Sequence, residues 1–246
     1  MSSAERYPEI DLVRGLALVL MIVYHTLFDL NFFSVLSIDV YTGFWRFFAF
    51  ATAALFLLVV GISLTVSRAR AERYLDARSL AIKFVLRGAK IICLGLLVTL
   101  VTWVYLREGF VVFGILSIIG VSVLCSPLFF RFGKKNAIVG LACIAIGWYF
   151  ATITGPVWLV PFGIHPDTFW SVDYTPIFPW LGVVLIGIAL GDILYPGGRR
   201  SFSLPTLPTT AISPFTFLGR HSLVIYLVHQ PVILAVLFLV TGAPVF

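Results

Sequence analysis

The stretch EIDLVRGLALVLMIVYHTLFDL, residues 9–30, is a largely apolar run. Four ionisable residues interrupt it: Asp11, Arg14, His25 and Asp29. An apolar run of about 20 residues suits a helix that crosses the hydrocarbon core of a bilayer. With a rotation of about 100° per residue, the four ionisable side chains share one helix face roughly 60° wide. An ionisable group that faces lipid is unfavourable by at least about 2.5 kcal/mol. We therefore predict a transmembrane helix whose polar face is turned toward the interior of the protein.

The composition extends this prediction to the whole chain. Of its 246 residues, 60% are hydrophobic and only 11% are charged, whereas a typical soluble domain has about 25% charged residues. Apolar runs of transmembrane length recur along the sequence, and helices are the spanning structure that such runs favour over barrel strands. The composition excludes a soluble globular fold. It predicts an all-α, polytopic transmembrane helical bundle that forms a single domain over residues 1–246.

About seven transmembrane helices are predicted, with prolines near most of their ends. Two longer connections, 155–175 and 196–215, contain several prolines, and the first of them is a candidate lid over an outward-facing site. The predicted helices cover about 10–31, 44–67, 80–105, 110–130, 136–154, 176–195 and 216–241, with the usual error of about 2–4 residues at each end.

The distribution of lysine and arginine predicts how these helices are oriented. With seven crossings, the basic clusters 68–90, 131–135 and 199–200 all lie on one side, together with Arg6 and Arg220. Basic residues concentrate on the cytoplasmic side of membrane proteins. We therefore predict a cytoplasmic N-terminus, an outside C-terminus and a multi-pass protein of the plasma membrane. The net charge of +6 is explained by this topology, so no nucleic-acid partner is expected.

Helix 1 carries the strongest candidate for chemistry. From Arg14 to His25 the helix rises about 16 Å, so Arg14 lies near the cytoplasmic surface and His25 lies past the midplane. Asp29, one turn beyond His25, is placed to hydrogen-bond one imidazole nitrogen and leave the other free as a base. Asp11 and Arg14 are spaced to form an ion pair. The alternative interpretation is a set of structural polar contacts between helices.

Three further positions are candidates for the same site. His229 and Gln230 precede Pro231 in the last helix, where a proline frees a backbone carbonyl and such breaks often line cavities; His229 is the second catalytic candidate. The sequence GGRR, residues 197–200, places glycine-rich backbone beside Arg199 and Arg200, which suits phosphate binding. A flexible loop that obeys the positive-inside rule explains these two arginines equally well.

The three cysteines lie in apolar runs without metal-binding spacing, so no disulfide and no metal site are expected.

An Asp-x-x-Arg-Gly sequence at the start of helix 1, followed by an apolar stretch and a histidine, resembles the first helix of membrane acyltransferases. The chain as a whole resembles the DUF1624 family, which is related to the catalytic part of heparan-α-glucosaminide N-acetyltransferase. The resemblance extends over nearly the full chain, and the matching segments are EIDLVRG (9–15), LMIVYHTLFDL (20–30), FGILSIIGVS (113–122), FPWLGVVLIGIALG (178–191) and GRHSLVIYLVHQPV (219–232).

This resemblance implies an acyltransferase that uses acetyl-CoA from the cytoplasmic side and acylates an amine or hydroxyl of a sugar-like acceptor. His25 is then the central catalytic residue, and the phosphates of CoA are expected near Arg14 and the inner basic loops. His229 or Ser117 is expected to donate a hydrogen bond to the developing oxyanion. Besides acyl-CoA and the acceptor, the expected partners are membrane lipid and, as one option, a second copy of the chain.

A function from a different class stays open at this point. Buried histidine and aspartate in a helical bundle also suit a proton-coupled small-molecule transporter. Such transporters often contain internal repeats and broken helices, and no repeat is visible in the sequence. Binding of acetyl-CoA distinguishes the enzyme from the transporter.

Overall fold

The computed structural model describes residues 7–204 and 209–242, and these residues form helices joined by short connections. Two residues outside the helices, Thr154 and His165, form an isolated bridge. Short 3-10 helices occupy Phe130–Lys135, Val157–Phe162 and Pro196–Gly198. The α-helices are α1 (Pro8–Phe32), α2 (Gly43–Ala71), α3 (Ala77–Leu106), α4 (Ile115–Phe129), α5 (Asn136–Phe150), α6 (Ile177–Leu194), α7 (Thr209–Arg220) and α8 (Ser222–Thr241).

Six helical stretches of the described chain are long and apolar enough to cross a membrane. Five of them are the single helices α1, α2, α3, α6 and α8. The remaining stretch, Ile115–Phe150, contains α4, the 3-10 helix that follows it and α5. The predicted polytopic, all-helical membrane fold is therefore confirmed.

The helices group into two compact units. The first unit contains residues 1–56 and 204–246, and the second contains residues 57–203. The first unit thus holds α1, α7, α8 and the beginning of α2, whereas the second holds the rest of α2 and the helices α3 to α6. The prediction of a single domain over 1–246 stays a prediction.

Within the second unit, α4 and α6 are parallel. Asp173 lies just before α6, and its Oδ2 accepts a hydrogen bond from the backbone N–H of Ile115, the first residue of α4, at 3.3 Å. At the other end, Gly133 follows α4 and faces Asp192 near the end of α6; a Cβ on Gly133 would lie 3.7 Å from Asp192 Oδ2. The two helices therefore begin together and end together.

In contrast, α5 is antiparallel to α6. Gly140 of α5 packs against Gly182 and Ile186, whereas Gly147, further along α5, packs against Pro179. Since α4 runs with α6 and α5 runs against it, the stretch Ile115–Phe150 contains two helices that run in opposite directions. The described chain thus has six candidate membrane spans, and the predicted number of about seven crossings stays a prediction.

Basic residues collect at one end of the second unit. Arg68, near the end of α2, donates a hydrogen bond from Nη1 to the carbonyl of Phe130, just after α4, at 2.7 Å. The ends of α2, α4 and α6 therefore share this end of the unit, and Lys134 and Arg199 follow α4 and α6 there. The arrangement is the one expected from the positive-inside rule. The absolute orientation stays a prediction, since the N-terminal Arg6 and the C-terminal residues 243–246 lie outside the described residues.

The prediction of one final helix over 216–241 is wrong in its beginning. The chain forms two helices, α7 and α8, which are separated at His221, where φ is −103° and ψ is 17°. Part of the predicted loop 196–215 is therefore helical. The Pro-, Ser- and Thr-rich sequence has a low intrinsic preference for helix, but α7 packs along α1, and this tertiary packing overrides the preference.

The connection between α5 and α6 packs against the start of α4. Ser171 Oγ donates to the carbonyl of Phe110 at 2.8 Å and accepts from the N–H of Val112 at 3.1 Å. Asp173 accepts from the Thr175 hydroxyl at 3.2 Å in addition to Ile115. Burial raises the pKa of the Asp173 carboxyl above its ordinary value. The predicted role of this segment as a lid stays a prediction.

Candidate functional site

The candidate site lies in the first unit, where α8 packs against α1. His25 of α1 and His229 of α8 face one another, with ring centroids 5.0 Å apart and planes inclined by 61°. His229 is only 8% exposed, whereas His25 is partly exposed. Two histidines from opposite ends of the sequence are thus brought into contact, and both are predicted site residues.

A backbone hydrogen bond fixes the tautomer of His229. Its Nδ1 lies 2.5 Å from the carbonyl oxygen of Tyr226, one turn earlier in α8. A carbonyl oxygen only accepts, so Nδ1 carries the hydrogen. The other ring nitrogen, Nε2, is buried and has no hydrogen-bond partner among the described residues. In the neutral imidazole Nε2 therefore presents a lone pair, which is the state that a general base requires.

Asp29 pairs with Gln230 and not with His25. The Gln230 amide nitrogen donates to Asp29 Oδ1 at 2.9 Å and to Asp29 Oδ2 at 2.7 Å. The carboxylate is 3% exposed. The prediction of a hydrogen bond between Asp29 and the His25 imidazole is therefore wrong, because the Gln230 amide of α8 contacts both oxygens of the carboxylate.

A second polar cluster lies nearer the N-terminal end of α1. Arg14 Nη1 contacts Asp11 Oδ1 at 3.0 Å, so the predicted ion pair is formed. The same nitrogen donates to the carbonyl oxygen of Gly219 at 3.2 Å. Arg220 Nε lies 3.5 Å from Asp11 Oδ2, and the Arg220 side chain is 46% exposed. Arg14 thus ties α1 to the end of α7, while Arg220 presents part of its guanidinium to the surroundings.

The backbones of α1 and α7 touch at two glycines. A Cβ on Gly15 would lie 1.9 Å from the carbonyl oxygen of Phe215, and a Cβ on Gly219 would lie 1.9 Å from that of Asp11. The pairing of 15 with 215 and of 11 with 219 makes α1 and α7 antiparallel. Only glycine permits so close an approach, and the approach brings Arg220 within reach of Asp11.

The remaining predicted site residues belong to the second unit. Ser117 is 6% exposed in α4, on the side of that helix that packs against Gly95 of α3. Arg199 and Arg200 are exposed and follow the 3-10 helix at the end of α6. The guanidinium of Arg200 lies 5.9 Å from the ring centroid of Phe202. The roles predicted for these three residues stay predictions.

Sequence reasoning gave no role to two residues of the clusters in the first unit. Gln230 adjoins His229, and a polar residue next to a histidine inside an apolar helix is the signal that marks it. Arg220 is the last residue of α7, and the sequence suggests for it only a topological role. Each residue acquires its partner from α1, more than 200 positions earlier in the chain.

Comparison with known families assigns the chain to one of them. The family model "Heparan-alpha-glucosaminide N-acetyltransferase, catalytic" matches residues 6–231. The match includes both polar clusters, from Asp11 to Gln230. No curated protein matches the chain, and no solved structure matches it.

Proposed function

Because the chain belongs to the heparan-α-glucosaminide N-acetyltransferase catalytic family, we propose that it transfers an acetyl group from acetyl-CoA to an amine or hydroxyl of a sugar-like acceptor. Membership of the family makes it a membrane acetyltransferase in general terms. The observation that carries the finer proposal is the pair of imidazoles, His25 and His229, 5.0 Å apart and with the buried Nε2 of His229 unpartnered among the described residues. The plasma membrane is its proposed location.

The chemistry we propose needs one base and one attacking group. The acceptor nitrogen or oxygen attacks the thioester carbonyl carbon and forms the new C–N or C–O bond, while its proton passes to an imidazole nitrogen of the pair. The C–S bond then breaks, and CoA leaves as a thiol once it receives that proton. General-base assistance of this kind contributes about 10²–10⁴ in rate.

The two histidines suit different parts of this reaction. His229 has a fixed tautomer and a free Nε2, which supports a role as the base. His25 is partly exposed and lies edge-on to His229, so it is placed either to share the proton or to accept the acetyl group itself. In the second route the His25 nitrogen displaces CoA, and the acceptor then attacks the acetyl-imidazole.

Basic residues support the binding of the donor. Arg14 lies about 16 Å along α1 from His25, at the end of the helix that is predicted to be cytoplasmic. Arg220, at the end of α7, contacts Asp11 at the same end of α1. Guanidinium groups bind phosphate through paired, charge-assisted hydrogen bonds. We propose that Arg14 and Arg220 hold phosphates of CoA, while the pantetheine arm runs toward His25. The donor-binding role of Arg199 and Arg200 and the oxyanion role of Ser117 stay predictions.

The function is tested with purified protein in lipid nanodiscs. Acetyl-CoA binding is measured by calorimetry, and CoA release is measured in the presence of glucosamine as an amine-bearing sugar. We expect binding and acceptor-dependent CoA release in the natural protein, with release lost in His25→Ala. Absence of acetyl-CoA binding to folded protein would overturn the proposal and favour the proton-coupled transporter, which is then assayed as substrate flux into proteoliposomes.

A further inference from the structure

Two buried acceptors without partners lie on consecutive residues of α8. They are Nε2 of His229 and Oε1 of Gln230, and neither has a hydrogen-bond partner among the described residues. Both side chains face α1, since His229 contacts His25 and Gln230 contacts Asp29, one helical turn further along. Buried polar groups in proteins are nearly always hydrogen-bonded, so an unpaired neighbouring pair calls for an explanation.

Asp29 determines which end of the Gln230 amide is unpaired. The Gln230 amide turns its NH₂ group toward Asp29, whose side-chain oxygens accept its hydrogen bonds. The nitrogen is then shared between the two carboxylate oxygens, at 2.9 Å and 2.7 Å. The carbonyl oxygen Oε1 is left on the side away from Asp29. The hydrogen bonds between Asp29 and Gln230 thus fix the direction of Gln230 Oε1, which takes no part in them.

We infer that His229 Nε2 and Gln230 Oε1 form a two-acceptor subsite for an N–H or O–H donor group of the acyl acceptor, with Asp29 as the positioning residue. The inference rests on the proposed acetyltransferase function and adds Gln230 to its site. An attacking amine or hydroxyl must bring a proton to the base, and a second acceptor beside that base orients the attacking atom. The proton passes to His229 Nε2, while Gln230 Oε1 keeps its hydrogen bond and undergoes no chemical change.

The hydrogen-bonding character of the subsite determines its selectivity. Both side-chain oxygens of Asp29 accept from the Gln230 amide, and the two unpaired atoms, His229 Nε2 and Gln230 Oε1, are acceptors. A group that only accepts hydrogen bonds finds no donor in this arrangement. A hydroxyl or an amine, neutral or protonated, is accepted. The subsite therefore selects the donor class of the acceptor substrate.

A purely structural role of the Asp29–Gln230 pair makes a different prediction. In Asp29→Asn the new amide nitrogen can donate to Gln230 Oε1, so a hydrogen bond between α1 and α8 survives. The Gln230 amide must rotate to form it, and Oε1 is then no longer available to a ligand. A structural tie would tolerate this variant, whereas the two-acceptor subsite would lose half of its acceptors.

The experiment measures the KM values for glucosamine and for acetyl-CoA in nanodisc-embedded protein. We expect Asp29→Asn and Gln230→Met to raise the KM for glucosamine by about 10–100-fold, the effect of losing a hydrogen bond to a buried ligand group. The KM for acetyl-CoA should stay within about threefold of the natural value. The double variant Asp29→Asn/Gln230→Glu exchanges amide and carboxylate, returns an acceptor oxygen to the subsite and should lower the KM for glucosamine again.

Thr26→Val is the matched control on α1, because the Thr26 hydroxyl donates to the carbonyl of Ile22 within its own helix at 2.8 Å. It should leave both KM values unchanged. A natural KM for glucosamine in folded Asp29→Asn and Gln230→Met would overturn the subsite while leaving the acetyltransferase proposal intact. If the natural protein transfers no acetyl group, calorimetric binding of glucosamine decides separately: binding that Asp29→Asn weakens supports the subsite, and no binding to the natural protein overturns it.

Discussion

The amide nitrogen of Gln230 donates hydrogen bonds to both carboxylate oxygens of Asp29, at 2.9 Å and 2.7 Å, and the two residues are 201 positions apart in the sequence. This contact joins α1 to α8 next to the two histidines. The imidazole of His229 is oriented instead by the backbone carbonyl of Tyr226, whose oxygen lies 2.5 Å from His229 Nδ1. The carboxylate therefore acts on the site through the amide of Gln230 and not as a direct partner of an imidazole.

The first prediction concerns the two imidazoles. We expect His229→Ala and His25→Ala each to lower kcat for acetyl transfer by about 10²–10⁴-fold, since each removes a group that handles the proton or the acetyl group. The dissociation constant of acetyl-CoA should change little. CoA release is followed with a thiol reagent, and binding is followed by calorimetry.

His221→Ala is the control for these substitutions. His221 also lies near a backbone carbonyl, with Nδ1 2.9 Å from Phe217 O, but it is exposed and lies two turns before His229. It should retain the natural kcat. Full activity in either His25→Ala or His229→Ala would remove that residue from the proposed mechanism, and acetyl-His25 trapped by acid quench would select the two-step route.

The sequence predicted α1 and its polar face, because helical periodicity relates residues three and four positions apart and the energetics of lipid requires polar groups to face inward. It predicted the Asp11–Arg14 pair for the same reason. It did not predict that Asp29 would pair with Gln230, because sequence spacing identifies neighbours within one helix and not between helices. Sequence spacing predicted a hydrogen bond between Asp29 and His25. In the structure Asp29 pairs instead with Gln230, which tertiary packing brings from another helix.

The helix α7 was missed for a related reason. Its residues include Pro214 and several hydroxyl-bearing side chains, which indicate a loop when they are taken alone. The packing of α7 on α1 depends on Gly15 and Gly219, and each glycine is complementary to a carbonyl group on the other helix. Two isolated glycines do not reveal such a contact until both helices are placed.

The second prediction tests this contact between α1 and α7. Gly219→Ala would place a Cβ 1.9 Å from the Asp11 carbonyl oxygen, a backbone atom that moves only with its helix. We expect it to destabilise the protein by about 1–3 kcal/mol or more and to lower the affinity for acetyl-CoA, because Arg220 would shift from Asp11. Thermal unfolding in detergent micelles and calorimetry measure the two effects.

Leu16→Ala serves as the comparison for the glycine variant. Leu16 is 41% exposed and adjoins Gly15 in α1. A truncation at such a position is expected to change stability by no more than about 0.5 kcal/mol. Equal melting temperatures for Gly219→Ala and the natural protein would contradict the close approach of the two helices.

The third prediction separates the arginines by their surroundings. Arg14→Gln removes the charged donor to Asp11 and to the Gly219 carbonyl, so it should lower stability by about 1.5–3 kcal/mol and weaken acetyl-CoA binding. Arg199→Gln lies on an exposed connection and should leave the melting temperature unchanged. If Arg199 holds phosphate, its loss should weaken acetyl-CoA binding and reduce the salt dependence of that binding.

The same variants are also compared in their affinity for dephosphorylated forms of acetyl-CoA. A residue that binds a given phosphate should matter less when the donor lacks that phosphate. Arg199→Gln with natural affinity for acetyl-CoA at low salt would remove this residue from the donor site. A large loss of stability in the same variant would show instead that it has a structural role.

The last prediction concerns pH and Asp173, which lies between α5 and α6. Burial raises the pKa of this carboxyl above its ordinary value, although the Ile115 N–H and the Thr175 hydroxyl both donate to it. Between the ordinary pKa and the raised pKa, the folded protein holds a proton at this site that the unfolded chain has released. The free energy of unfolding contributed by Asp173 therefore falls as pH rises through this interval.

Asp173→Asn should remove that contribution, because an amide does not titrate and its oxygen can still accept from Ile115. We expect the difference in melting temperature between Asp173→Asn and the natural protein to grow in favour of the variant as pH rises from the ordinary carboxyl range toward neutrality. Asp39→Asn gives the opposite case, since the Thr42 hydroxyl lowers the pKa of Asp39, and its carboxylate contributes stability that is lost as pH falls. If the difference in melting temperature between Asp173→Asn and the natural protein did not change with pH, the pKa of Asp173 would be the same in the folded and unfolded states, and the prediction would be wrong.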